Sequence, residues 1–145
     1  VTPDSGGPGK FRGGMGSTRE YQVLQAATVP VRSLKGSFRG KLPPWGIFGG
    51  HAARVGDVFV NGVQVPNGTR EVSLSPGDVI RVETNAGGGC GNPFERAPAA
   101  VLNDVLDRYV TIECAREDYG VVIDPTSLTL DLGATQKLRA SRRTD

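Results

Sequence analysis

The stretch VFVNGVQV, Val58 to Val65, sets β-branched and aromatic residues on both sides of Asn61-Gly62. That dipeptide is the one that most readily takes the two successive positive φ angles of a type I′ turn, so the stretch reads as a β-hairpin. Working outward, Glu71-Val-Ser-Leu is a strand fragment, Ser75-Pro-Gly-Asp a turn, and Val79-Ile-Arg-Val-Glu-Thr alternates as the strand that follows. Upstream, Tyr21 to Val29 reads as one strand, and Val29 to Leu34 extends it across the bend at Pro30. Short strands separated by turns over 21–86 predict an antiparallel β half, sandwich or barrel-like.

The pattern changes after Pro93. From Pro98, the residues Val101, Leu102, Val105, Leu106 and Tyr109 recur at helical spacing, with Asn103, Asp104, Asp107 and Arg108 on the opposite, solvated face. Thr111 is placed to cap a second short helix, Ile112 to Asp118, which Gly120 closes in the C′ position. Val121 to Asp124 and Ser127 to Leu132 form a predicted strand pair about the Asp124-Pro125-Thr126 turn. Ala134 to Arg143 is a predicted basic helix capped by Asp131. The fold class is therefore α+β: a β-rich N-terminal half, two short helices, a strand pair and a C-terminal helix. The chain reads as a single domain over 1–145, with a glycine-rich segment at 1–20, a β-rich part at 21–86 and an α/β tail at 93–145.

Composition sets the remaining bounds. The 145 residues include 21 Gly and 10 Pro, and aromatic residues are only 6%. So lean a core implies that a neighbour completes it. The net charge of +2 is too small to point to nucleic acid or an anionic membrane. The basic run at Arg139 to Arg143 reads as a solvated tail. No stretch approaches the apolar length of a membrane span or a signal peptide. Two cysteines, Cys90 and Cys114, without a CxxC, suit a reducing compartment, so the expected location is cytoplasmic.

Two glycine-rich segments hold the candidate functional residues: GGPGKFRGGMGSTRE (Gly6 to Glu20) and GGGCGNPFER (Gly87 to Arg96). Gly13 and Gly14, between Arg12 and Arg19, can form a backbone nest for a phosphate or carboxylate, the guanidinium groups adding bidentate donors. The alternative is a strand-entry loop with both arginines in structural ion pairs. Gly88 and Gly89 are candidates for a position against a substrate, and Cys90 for a nucleophile if a nearby cation lowers its pKa; otherwise Cys90 is a small packed residue. His51, Cys90 and Cys114 are candidate zinc ligands, at separations that match no compact zinc motif. His51 alone could serve as a general base. The loop around His51 requires anchors, and Trp45 and Phe48 are the apolar residues there to provide them.

Read in order, GGPGKFRGGMGSTREYQ, PPWGIFGG, LSPGDVIRVETNAGGGCGNPFERAPAAVLNDVLDRYV and AREDYGVVID resemble the C-terminal portion of hydantoinase B-type proteins. That family includes N-methylhydantoinase B subunits, one half of 5-oxoprolinases, and subunits of acetone and acetophenone carboxylases. Its members are several times longer, so the chain is expected to be a fragment or a split-off small subunit. A separate small subunit, similar to the organisation of acetophenone carboxylase, is the preferred reading, with a subunit or fragment of a hydantoinase or 5-oxoprolinase as the alternative. The resemblance implies ATP-dependent chemistry: carboxylation of a ketone with bicarbonate, or opening of a cyclic amide as in hydantoinases and oxoprolinases. It implies hydantoinase A-like and larger hydantoinase B-like partners, with ATP and a divalent cation held mainly by them. No Walker-type GxxxxGK[ST] occurs in the chain. Cys90 and Asn92 stand where family members more often carry an aromatic residue and Asp. A non-catalytic scaffolding module is the reading from a different class.

Overall fold

In a computed structural model, residues 1–31 and 42–142 are described. The extension of the first strand beyond Val31, and Arg143 at the basic end, lie outside the described residues.

The predicted hairpin forms, with β3 (Val58–Val60) against β4 (Val63–Gln64). Asn61 and Gly62 take φ of 50° and 80°, the two positive angles such a turn demands. The Asn61 side chain then clamps a second turn. Its Nδ2 donates to Asp78 Oδ1 and its Oδ1 accepts from the Val79 amide, both at 2.9 Å. Hydrogen bonds from Asn61 and from the Ser75 amide hold the Asp78 carboxyl below its ordinary pKa. β5 (Glu71–Leu74) and β6 (Val79–Glu83) lie where the alternation places them.

Upstream the structure differs from the sequence reading. The single strand expected over Tyr21 to Val29 is two strands, β1 (Thr18–Gln22) and β2 (Ala27–Pro30), in different sheets. β1 pairs antiparallel with β6, Thr18 opposite Glu83, in a four-stranded sheet of order β1-β6-β3-β4. β2 pairs with β5, Ala27 opposite Leu74. The break has a local cause: Val23 exchanges hydrogen bonds with the β5–β6 turn, its amide donating to Asp78 O and its carbonyl accepting from Gly77, each at 2.8 Å. The chain bends around that turn and leaves for the second sheet. Val31, Val58, Val65, Leu74 and Ile80 close a core shared by the two sheets.

The C-terminal part builds its own core. Helices α1 (Pro98–Leu106) and α2 (Ile112–Glu117) pack with the following segment around Val101, Val110, Ala115, Tyr119, Val121 and Ile123. Thr111 Oγ1 caps α2 by accepting from the Cys114 amide, and Gly120 follows with φ of 61°. Two departures occur on α1: Leu106 is exposed and Asp104 is buried. The predicted strand pair shrinks to one antiparallel bridge, Ile123 with Leu130. The Asp124 carboxylate explains this, because it accepts from the amides of Thr126 and Ser127 and draws the chain into a turn instead of a ladder. Helix α3 (Leu132–Ser141) starts two residues ahead of the expected Ala134, with Asp131 Oδ1 accepting from the Ala134 amide at 2.8 Å. Asp131→Ala is expected to cost about 1 kcal/mol in urea unfolding, the usual loss for removal of a cap.

Candidate functional site

The two glycine-rich segments meet, and the loop of His51 joins them. Extended backbone from 7–13, 45–54 and 86–91 runs side by side and is tied main chain to main chain. Gly7 N donates to Gly87 O at 2.8 Å, His51 N to Pro8 O at 2.8 Å, Gly89 N to His51 O at 3.0 Å, and Ile47 N to Gly89 O at 2.9 Å. Phe11 and Cys90 exchange both backbone hydrogen bonds at 2.9 Å, and Ile47 flanks Cys90 on its other side. The glycines serve close approach: a Cβ on Gly13 would lie 1.8 Å from Gly87 O, and one on Gly88 1.9 Å from Trp45 O. Neither position has a positive φ, so the requirement is space.

This ribbon corrects one expectation. Trp45 and Phe48 do not pin the loop, for both are exposed. Backbone hydrogen bonding does that work, and the tip at Phe48-Gly49 is a turn closed by Gly50 N donating to Ile47 O at 2.9 Å.

Of the residues proposed for an anion nest, Arg12 points into the molecule. Its Nη1 donates to Gly13 O at 2.8 Å, its guanidinium stacks over the Tyr109 ring at 5.0 Å, and its Nε lies 3.3 Å from Asp104 Oδ2. The Nε contact is an ion pair without hydrogen-bond alignment, and that nitrogen is buried with no hydrogen-bond partner among the described residues. Arg96 reaches the same oxygen, Nη2 to Oδ2 at 2.8 Å, while its Nη1 donates to Lys10 O. Arg139 of α3 donates to Arg96 O and Tyr119 O. One buried carboxylate thus ties two arginines, the ribbon and α1 together. Arg19 lies on β1 opposite Val82, exposed. Gly13 and Gly89 spend their amides on Gly7 O and His51 O. Gly14 lies open to solvent, with nothing within 4 Å of a Cβ built on it.

Beside the ribbon an open cleft of about 290 Å³ brings His51 and Cys114 to one lining, together with Asp4, Arg54, Asp118 and Tyr119. Asp4, with φ of 56°, receives the Thr111 amide on Oδ1 at 2.8 Å and fastens the N-terminal segment to the start of α2. The cleft presents both charges, Asp4 and Asp118 against Arg54, with the imidazole of His51 exposed. Cys90 lies in the ribbon, between Phe11 and Ile47. Among the described residues, no group of three or more His, Cys, Asp or Glu stands in position to hold a metal ion. The candidate zinc ligands His51, Cys90 and Cys114 are therefore not brought together as a set: His51 and Cys114 line the cleft, and Cys90 is held in the ribbon.

Burial first, then the nearby Asp4 carboxylate, pushes the Cys114 thiol up to about 12 from its ordinary 9.0. It is a neutral group at physiological pH, not a thiolate nucleophile. Alkylation by iodoacetamide at pH 8 is expected to modify Cys114 far more slowly in the folded chain than in urea, as mass spectrometry of the peptide would show. The folded state holds this proton more tightly than the unfolded one. Its contribution to stability is accordingly complete below pH 9 and falls as the pH rises from 9 toward 12. Burial also raises the Tyr119 phenol to about 12, and its hydroxyl is buried without a hydrogen-bond partner among the described residues.

Asp4 and Tyr119 were not singled out in the sequence, and Asp104, read there on the solvated face of its helix, is instead the buried partner of Arg12 and Arg96. The signal available for Asp104 was an acid directly beside an apolar stripe with two isolated arginines elsewhere. Only the ribbon says that the three meet.

The fold recurs in larger proteins. The family model for hydantoinase B/oxoprolinase matches residues 1–93. The caprolactamase subunit beta of Pseudomonas jessenii is 34% identical over 95% of this chain and 24% of its own length. The crystal structure of that ATP-dependent caprolactamase superposes with a TM-score of 0.78 over 96% of this chain and 25% of the larger one, at 34% identity. The acetophenone carboxylase delta subunit of Aromatoleum aromaticum is 25% identical over 95% of this chain and 25% of its own. Nucleotide-free acetone carboxylase shares the fold, with a TM-score of 0.78 at 24% identity over 100% of this chain and 24% of the other. The chain spans about a quarter of the length of the curated relatives it matches. The family model over residues 1–93, together with 34% identity across 95% of the chain, places the chain in the hydantoinase B/oxoprolinase family.

Proposed function

We propose that this chain is the C-terminal portion of the hydantoinase B-type component of an ATP-dependent cytoplasmic enzyme that activates an amide or ketone carbonyl. The single observation that carries this is the likeness to caprolactamase, one fold and 34% identity across nearly the whole chain. A hydantoinase A-like partner holds ATP and its divalent cation, and the remaining hydantoinase B-type polypeptide completes the other half. The role of this chain is structural support of the site: the interlocked ribbon is a rigid platform, and the cleft lined by His51, Arg54, Asp4 and Asp118 opens at its side. Gly14 and Arg19, both exposed, and the half-buried Gly88 in the ribbon remain the candidates for contact with an anionic substrate group.

Opening of a cyclic amide is the favoured reaction, since identity is higher to the caprolactamase subunit than to the acetophenone carboxylase subunit, 34% against 25%. Carboxylation of a ketone such as acetophenone with bicarbonate is the second reading, supported by that 25% match over 95% of the chain. Purification from the native source should yield a hydantoinase A-like polypeptide in stoichiometric amount. The assembly should hydrolyse ATP on addition of a lactam or hydantoin, and the chain by itself should not. ATP use triggered only by ketone plus bicarbonate would select the second reading, and purification without any hydantoinase A-like protein would refute both.

A further inference from the structure

We propose that Phe11, Trp45, Ile47 and Phe48 form the face on which the remaining three quarters of a hydantoinase B-type polypeptide docks, with Phe48 as its anchor. The inference rests on the reading above. Phe11 and Ile47 are the two bridge partners of Cys90, and residues directly opposite one another across a ladder point to the same face. Trp45 precedes Ile47 by two positions in an extended segment, which returns it to that face. Phe11, Trp45 and Ile47 therefore share one face, Phe48 follows at the adjoining turn, and all four belong to the exposed large apolar residues, Trp45 at 76% and Phe48 at 86%. Trp, Tyr and Phe at the centre of an apolar patch are what carries binding in protein interfaces.

Phe48 follows Ile47 in a turn closed by Gly50 N donating to Ile47 O at 2.9 Å. It holds φ at 51°, a region costly for a bulky residue and easy for Gly or Asn, and the turn leaves its ring exposed. The occupant follows from size. The chain matches its relatives over 91–95% of itself but only 22–24% of their length. The caprolactamase match likewise covers 96% of this chain and 25% of the other. In those relatives the remaining length belongs to the same polypeptide, and a polypeptide of that kind is the occupant proposed here. Its complement to this face is an apolar concavity that admits one phenyl ring beside an indole.

Trp45 is the single tryptophan of the chain, which makes its oxidation a specific readout. Oxidative footprinting with mass spectrometry should find Trp45 in the assembled native enzyme modified at least about tenfold more slowly than in the urea-unfolded chain, as full burial in an interface core requires. Phe48→Asn gives the complementary test. It should raise the Tm of the chain by relieving the turn, and weaken its incorporation into the assembly by about tenfold or more, the range of an interface hot spot. Leu128→Ala, at an exposed apolar residue away from the ribbon, should change neither. An assembly that forms and leaves Trp45 as reactive as in urea, or that takes up Phe48→Asn as readily as the parent, overturns this inference and leaves the functional reading intact. Failure to find any family partner overturns both.

Discussion

Gly13→Ala is expected to cost about 4 kcal/mol or more, at the upper end of what single substitutions do, whereas Gly14→Ala next to it should stay within about 0.5 kcal/mol. A Cβ at Gly13 lands 1.8 Å from Gly87 O and 2.5 Å from the carbon of the same carbonyl. Both are main-chain atoms, so no rotamer change clears the overlap, and strands 7–13 and 86–91 must part. Parting them breaks the Gly7–Gly87 and Gly14–Gly87 hydrogen bonds, each at 2.8 Å, and leaves the ribbon's polar groups to find water. At Gly14 a Cβ meets nothing within 4 Å. If the two glycines acted only as a flexible anion nest, both substitutions would be equally mild. Paired urea unfolding curves, read at constant m-value, separate the cases.

What was legible in the sequence is what neighbouring residues settle between themselves. Asn61-Gly62 sets its hairpin turn, Thr111 and Asp131 set helix starts, and Gly120 closes α2, because each acts on backbone within four residues of itself. The same locality explains the miss at Tyr21 to Val29: the stretch has strand character throughout, but the kink at Val23 is imposed by hydrogen bonds from the Ser75–Asp78 turn. The glycine segments were recognised as places of close approach, but what they approach was hidden, since each one's partner is another glycine segment far along the chain. Trp45 and Phe48 were read as anchors because apolar side chains usually turn inward. Here the glycine ribbon closes on itself without side chains and leaves them outside. The fold class and the family were within reach. The ribbon's pairing, and with it the arginine–carboxylate centre, depended on contacts that no local pattern reports.

Asp104→Asn is the second large effect expected, about 3–5 kcal/mol of destabilisation, because removing one partner of a buried ion pair strands the charge that remains. In this case two charges are stranded. Arg12 Nε and Arg96 Nη2 both meet Asp104 Oδ2, at 3.3 and 2.8 Å, and the three side chains are 15%, 16% and 9% exposed. Asparagine keeps the volume, so a large loss reports charge and not a cavity. Asp107→Asn, one position past α1 and exposed, should fall within about 0.5 kcal/mol. Arg12→Met should be milder than Asp104→Asn, since Asp104 then keeps its shorter contact with Arg96 and Met still covers Tyr109. Added salt should hardly change the Asp104→Asn deficit, as buried pairs are little screened. A deficit that vanishes in 1 M salt, or an Arg12→Met loss equal to that of Asp104→Asn, would show that the carboxylate is a surface charge with one partner. The expected ordering instead makes Asp104 the joint between the helical core and the glycine ribbon, so its loss should also release the face that carries Trp45 and Phe48 and prevent assembly.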